Sequence, residues 1–131
     1  MFDLSTTFVH LGLGGVALEL PGFEWTQTYL ESYQRETELD GEEGRLVTFS
    51  PHTTNWTSWE RHPAGEELVV VFSGKVVVIQ DLNGVENRIE LGPRQAVVNP
   101  RSVWHTADVL QPGDALYITP GLGTQHRPRE G

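Results

Sequence analysis

Turn-forming residues recur through the second half of this chain at short and regular intervals. They fall at Pro63–Gly65, Ser73–Gly74, Asn83–Gly84, Gly92–Pro93, Pro100, Pro112–Gly113 and Pro120–Gly121, mostly eight to ten residues apart. That beat is the spacing of short antiparallel strands in a sandwich or barrel. The runs between the turns, Leu68–Phe72, Lys75–Gln80, Ala96–Asn99 and Ala115–Thr119, are rich in Val, Ile and aromatic residues, which suit a pleated, half-buried surface. Asn83–Gly84 predicts a two-residue hairpin tip, because both residues tolerate positive φ. Upstream, Arg45–Ser50 and Asn55–His62 read as two further strands. The expected fold class is all-β.

Composition narrows the partners. The 131 residues suffice for one domain with a core, and 37% are apolar, too many for a disordered chain. Cysteine is absent, which excludes disulfides, thiolate metal sites and a cysteine nucleophile. Nine Lys and Arg against 18 Asp and Glu leave a net charge of −9, so no nucleic acid and no anionic membrane is expected as a partner. The apolar run Phe8–Leu20 is too short to span a bilayer and follows Asp3 rather than a positive leader. A soluble, cytoplasmic protein is expected. Glu24–Asp40 reads as a short helix or irregular arm with a solvated acidic face, and Gly121–Gly131 as a loose tail.

The chemistry concentrates around one strand. With Trp56–His62 extended, Trp56, Ser58, Glu60 and His62 share one face, and Thr57, Trp59 and Arg61 share the other. A four-residue loop, Pro63 to Glu66, then sets His62 opposite Glu67 across an expected hairpin, with Cβ atoms roughly 5 Å apart. Taken singly, Glu60 and Glu67 read as surface or strand-end acids and His62 as a solvated loop residue. Together they are two carboxylates and an imidazole converging as a metal requires. A second histidine, His105, follows the Pro100 turn at the head of another strand. His10, His52 and His126 carry no motif, and Gly12, Gly14 and Gly15 lack the context of a phosphate-binding loop.

These residues resemble the cupin superfamily. The first motif reads Glu60-x-His62-x4-Glu67-x6-Gly74, with Glu60 where the family has its first His. The second reads Pro100-x-Ser102-x-x-His105, with Ser102 in place of a Gly; Thr54 and Val109 are further departures. The resemblance covers about residues 55–109. It implies a double-stranded β-helix, or jelly-roll, barrel over a single domain 1–131, with residues 1–44 as an N-terminal arm and 121–131 as the loose tail. It also implies that His62, Glu67 and His105 bind a divalent metal (Fe, Mn, Ni or Zn), with Glu60 as a fourth ligand or as a general base.

By strand parity Trp56 and Ser58 face the lumen with Glu60, while Val69 and Val71 face it with Glu67. Trp104 and Tyr117 are expected at the mouth, and Trp59 and Phe72 point away from the lumen. The expected function is metal-dependent catalysis on a small oxygenated molecule, of dioxygenase or isomerase/lyase type. The competing class is a non-catalytic sensor or carrier of a metal or small ligand. The outward face of Thr57, Trp59 and Arg61 suggests a homodimer.

Overall fold

The computed structural model describes residues 1–130. Eleven strands form two antiparallel sheets that face each other. They are β1 (Thr7–Gly12), β2 (Val16–Pro21), β3 (Arg45–His52), β4 (Ser58–Arg61), β5 (Glu67–Val71), β6 (Lys75–Leu82), β7 (Val85–Leu91), β8 (Ala96–Asn99), β9 (Trp104–Gln111), β10 (Gly113–Thr119) and β11 (Gln125–Pro128). One sheet has the order β2-β1-β3-β10-β5-β8 and the other β11-β4-β9-β6-β7. The turn spacing predicts the antiparallel all-β architecture, and the jelly-roll arrangement is the one the resemblance implies. Each turn signal falls at a strand boundary. At the β6–β7 tip, Asn83 and Gly84 take φ of 55° and 87°, the left-handed region such a tip demands.

The expected hairpin between His62 and Glu67 is not formed. β4 lies in the five-stranded sheet and β5 in the six-stranded one, so residues 62–66 carry the chain from one sheet across to the other. The loop length was legible, but no local feature says which sheet the next strand joins. His62 and Glu67 still meet, because they face each other across the barrel rather than along a ladder.

The lumen is polar at one end and apolar at the other, and the alternation of each strand sets this gradient. Along β5 the buried residues are Glu67, Val69 and Val71. On β9 and β6 the paired residues run from His105 and Gln80 through Ala107 and Val78 to Val109 and Val76. Val71, Val76, Val78 and Leu91 form the apolar core, with Ile89, Val97 and Val109 packed against it. Burying each of these side chains contributes about 1.5–3 kcal/mol. Gly74, the last residue of the first motif, has φ of 75°, and a Cβ there would run into the carbonyls of Gln111 and Pro112. A glycine is therefore required where the β5–β6 turn packs on the β9–β10 turn.

The short helix read within Glu24–Asp40 forms, and part of the tail expected to be loose is ordered. A helix, α1 (Gln27–Thr37), starts at Thr26, whose hydroxyl accepts the Tyr29 amide N–H at 3.2 Å. Phe23 and Tyr33 pack on the buried cluster Phe8, Leu20 and Leu46, so apolar contact holds the arm to β1 and β3. His10 is shared between the Tyr33 hydroxyl (2.6 Å) and the Asp40 carboxylate (2.7 Å). Asp40 in turn accepts the Leu13 amide N–H at 3.0 Å, which fills the glycine-rich turn with a carboxylate. At the other end, residues 125–128 form β11 along β4, with Arg127 over the rings of Trp104 and Trp59 at 4.6 and 5.3 Å. Polar strands such as β11 carry little pattern, and this one is held by its ladder and by cation–π contacts.

Candidate metal centre

Four side chains converge at the polar end of the lumen. Glu60 sits on β4 directly opposite His105 on β9, in the one paired position between those strands. His62 follows β4, and Glu67 opens β5 in the facing sheet. One donor atom from each of Glu60, His62, Glu67 and His105 lies within 4.8 Å of all the others. His62 Nε2 is 3.0 Å from Glu60 Oε1 and 3.2 Å from Glu67 Oε2. His105 Nε2 is 3.2 Å from Glu67 Oε1 and 3.8 Å from Glu60 Oε1. The backbone motif residue Ser102 contributes indirectly, since its N–H donates to the His62 carbonyl at 3.1 Å.

The directions of these contacts discriminate between an ion-pair cluster and a metal site. Both Nε2 atoms are buried, and despite their closeness to carboxylate oxygens neither has a hydrogen-bond partner of acceptable geometry. Four donors about 2.1 Å from one ion lie about 3.0 Å apart at neighbouring octahedral corners and about 3.4 Å apart at tetrahedral ones. Three of the four imidazole–carboxylate separations, 3.0, 3.2 and 3.2 Å, fall in that interval, and the fourth, 3.8 Å between His105 and Glu60, lies beyond it. Two carboxylates and two neutral imidazoles also balance a dication in charge. The donor set fits a divalent metal.

An outer layer orients each donor. The Asn99 amide donates to Glu67 Oε1 at 3.1 Å and the Thr119 hydroxyl to Glu67 Oε2 at 2.7 Å. Gln80 donates to Asn99 Oδ1 at 3.0 Å, fixing its flip. His62 Nδ1 meets the Thr124 hydroxyl at 2.8 Å, and His105 Nδ1 faces the Val103 carbonyl at 3.4 Å. A carbonyl only accepts, so the His105 proton belongs on Nδ1 and its lone pair on Nε2. The outer oxygen of Glu60 meets His126 Nε2 at 3.0 Å. None of Gln80, Asn99, Thr119, Thr124 or His126 stands out in the sequence; only the fold brings them here.

Without a metal the four groups hold one another charged. Burial alone would push the carboxyls up and the imidazoles down, but the close side-chain contacts between them, and then their opposite charges, outweigh it. Glu67 is held down at about 2 and Glu60 falls below the ordinary carboxylate range, while His62 rises to about 9 and His105 to about 8. Tyr117 is pushed up to about 12 by burial and by the charges of Glu67 and Glu60. It stays a neutral phenol.

An open cleft of about 410 Å³ reaches the site from outside and is lined by Trp56, Ser58, Glu60 and His126 with residues 51–55 and 57. Beneath it is an inner cavity of about 10 Å³, room for a single water, lined by Tyr117, His105 and Trp56 among others. Trp56 and Ser58 thus lie in the cleft with Glu60, and Tyr117 lies in the inner cavity rather than at the mouth. Trp104 lines neither space. Its neighbour His105 points into the lumen, so alternation sends the Trp104 ring outward, between the guanidinium groups of Arg61 and Arg127, each 4.6 Å from its centre. His126 and His52, unremarkable in the sequence, both line the cleft.

No protein-family model matches the chain, and no curated protein matches it. Solved structures do. An oxalate oxidase superposes with a TM-score of 0.51 at 12% identity, covering 61% of this chain and 44% of that one. Hydroxypropylphosphonic acid epoxidase from S. wedmorenis gives 0.50 at 11%, covering 57% and 42%. A cupin superfamily protein from Desulfitobacterium hafniense gives 0.49 at 19%, covering 57% and 65%. The match spans under two thirds of the length of each of these proteins. The likeness shows the fold alone: the two facing sheets share the architecture of the oxalate oxidase and of the epoxidase. No helix among the described residues is long and apolar enough to cross a membrane.

Proposed function

We propose that the protein is a metal-dependent enzyme that acts on a small oxygenated molecule held in the mouth cleft. His62, Glu67 and His105 hold a divalent ion of the Fe, Mn, Ni or Zn type, and Glu60 stands beside it as a general base. The observation that carries this reading is the pair of buried, unpartnered Nε2 atoms set 3.0–3.2 Å from carboxylate oxygens. The ion supplies Lewis acidity toward a substrate oxygen. Two of the solved structures with this fold are an oxidase and an epoxidase, which supports a catalytic use of such a barrel.

The residues divide the work by exposure. Glu67, His62 and His105 are buried and serve as fixed ligands. The Glu60 side chain keeps 24% of its surface exposed and lines the cleft, so it meets the substrate. Placed there, it takes a proton from a carbon beside a polarised carbonyl, with His126 against its second oxygen. This geometry favours isomerase or lyase chemistry over dioxygenation. Trp56 and Ser58 flank the bound molecule. The whole chain is taken as one domain, since the arm packs on Leu46 of β3.

A non-catalytic sensor or carrier is the second reading, favoured by four protein donors closing on one point. The deciding experiment is metal analysis of protein purified without chelator, for the unaltered chain and for Glu60→Gln. His62→Ala and His105→Ala are expected to lose the metal. If Glu60 is a base, Glu60→Gln keeps metal while turnover drops about a hundredfold; if the site is closed for sensing, metal is lost with it. Absence of any melting shift with Mn²⁺, Fe²⁺, Ni²⁺ or Zn²⁺ in the unaltered protein would overturn the metal reading.

A further inference from the structure

His52 is 4% exposed, lies outside the metal cluster, and has no hydrogen-bond partner on either ring nitrogen among the described residues. Buried polar side chains are almost always paired, so an imidazole with two free positions calls for an explanation. Its place in the fold supplies one. His52 ends β3 on the inward side, after the buried Leu46 and Thr48. Its partner across the ladder is Gly113, and the next pair places Ala115 opposite Ser50. On that face β10 sets the small residues Gly113 and Ala115 nearest His52, and Tyr117 lines the same inner cavity further along. His52 and Trp56 both line the inner cavity and also the mouth cleft, so together they form the partition between the two.

The chemistry of the cleft restricts what can meet that imidazole. A neutral imidazole offers one donor and one acceptor, which a hydroxyl group matches with its own acceptor and donor. The other polar groups around the cleft are the uncharged side chains of Thr53, Thr54, Asn55, Thr57 and Ser58, together with His126, whose Nε2 meets Glu60 at 3.0 Å. The one carboxylate is Glu60, and neither Lys nor Arg is among the described residues that line it. At the His52 end of the cleft an anionic ligand would meet no lysine or arginine, and the His126 imidazole is already taken up by Glu60 at 3.0 Å. Trp56 adds a flat apolar surface beside these hydrogen-bonding groups, suited to the C–H face of a ring or a carbon chain.

We propose that His52 is a ligand-binding residue of the mouth cleft, and that the cleft takes a neutral polyhydroxylated molecule with one hydroxyl bonded to His52 and its carbon face against Trp56. The inference rests on, and deepens, the reading of this cleft as a small-molecule site. His52 binds and orients; the reacting atoms lie at Glu60 and the metal centre.

The test uses the full chain, metal-free, with ¹⁵N-labelled histidine. D-Mannitol, D-glucose and N-acetyl-D-glucosamine are titrated into it at millimolar concentrations, with D-gluconate and D-glucose 6-phosphate as anionic counterparts. At least one neutral probe is expected to shift the His52 ring nitrogens saturably, and both anions to bind at least tenfold more weakly than that probe. His52→Phe keeps a ring but removes both hydrogen-bonding positions, and is expected to weaken binding of the probe at least tenfold. Its affinity for Mn²⁺ should stay within twofold of the unaltered protein's. Where His52→Phe does not fold, His52→Asn serves, with at least threefold weakening expected.

Ring nitrogens that respond to none of the three neutral probes overturn the proposal. So do anions that bind as tightly as the neutral probe, or a His52 variant with unchanged affinity for it. Mn²⁺ binding is measured separately in the same samples. Its loss from the unaltered protein sinks the metal reading, whereas its retention with a silent His52 sinks only this inference.

Discussion

Asn99 and Glu67, each 2% exposed, are joined by a hydrogen bond of 3.1 Å from the amide to Oε1. Asn99 ends β8 directly opposite Glu67 at the head of β5, so the ladder itself sets the two side chains together. The bond fixes which oxygen of Glu67 faces His105 and leaves Oε2 for His62 and Thr119. Asn99→Ala removes that constraint and one of two acceptors of the Gln80 amide, which keeps its bond to the Val98 carbonyl at 3.0 Å. The expected cost is about 1–3 kcal/mol of stability, together with a loss of about 10- to 100-fold in metal affinity. Denaturant melts and competition with a metal indicator measure the two effects. Unchanged metal affinity would show that Glu67 needs no orienting partner.

The charge state of the cluster gives opposite pH slopes with and without metal. His62 and His105 are raised from an ordinary 6.5 to about 9 and 8, so their contribution to metal-free stability is complete below pH 6.5 and is lost as pH rises through those values. Glu67, lowered from 4.5 to about 2, contributes fully above its ordinary value and loses that contribution as pH falls toward 2. The metal-free melting temperature is therefore expected to fall between pH 6.5 and 9. The melting shift produced by Mn²⁺ is expected to grow over the same interval, because ligating imidazoles must first give up their protons. A Mn²⁺ shift that is flat with pH would count against ligation by His62 and His105.

How much of this was legible follows from where each signal resides. Asn83–Gly84 and Gly74 announce themselves, because local backbone conformations that few residues tolerate are written in local sequence. The four candidate ligands were legible for a related reason, as the motif spacing survives the change of Glu60 for His. The β4-to-β5 crossing was not, because strand length and turn residues do not encode which sheet receives the next strand. β2 escaped notice since it is an edge strand whose residues Val16–Glu19 are all exposed, leaving no alternation to read. Asn99, Thr119, Thr124 and His52 are ordinary polar residues, and their roles arise only when distant strands close the barrel.

The tail makes a third test of how the site is held. β4 pairs with β9 at a single position, Glu60 with His105, whereas it pairs with β11 along all four of its residues. β11 also brings His126 to Glu60, and Thr124 just before it meets His62. Ending the chain after Gly121 is expected to loosen β4 and lower metal affinity at least tenfold while the β5–β10 half of the barrel persists. Thr124→Val, which removes only the hydroxyl beside His62 Nδ1, should reproduce part of that loss. Hydrogen exchange at the β4 amides, read with the metal titration, separates strand loosening from loss of the one hydrogen bond.

The last test concerns the departure in the second motif. Ser102 stands where the cupin pattern has Gly, and its φ of 62° lies in the left-handed region that glycine occupies freely. For a residue with a Cβ that conformation costs roughly 1–2 kcal/mol. It is retained here because the Ser102 N–H reaches the His62 carbonyl at 3.1 Å and Val103 closes the turn on the Pro100 carbonyl at 3.2 Å. Both bonds use the backbone alone, so Ser102→Gly keeps them. Part of the gain is offset by the greater freedom of glycine in the unfolded chain. The expected net is a stabilisation of about 0.5–1 kcal/mol, a rise of about 3 °C in Tm for a chain this size. Metal affinity should be unchanged, since His105 keeps its strand position opposite Glu60. A lower Tm in Ser102→Gly would mean that the serine hydroxyl stabilises the turn more than the backbone conformation strains it.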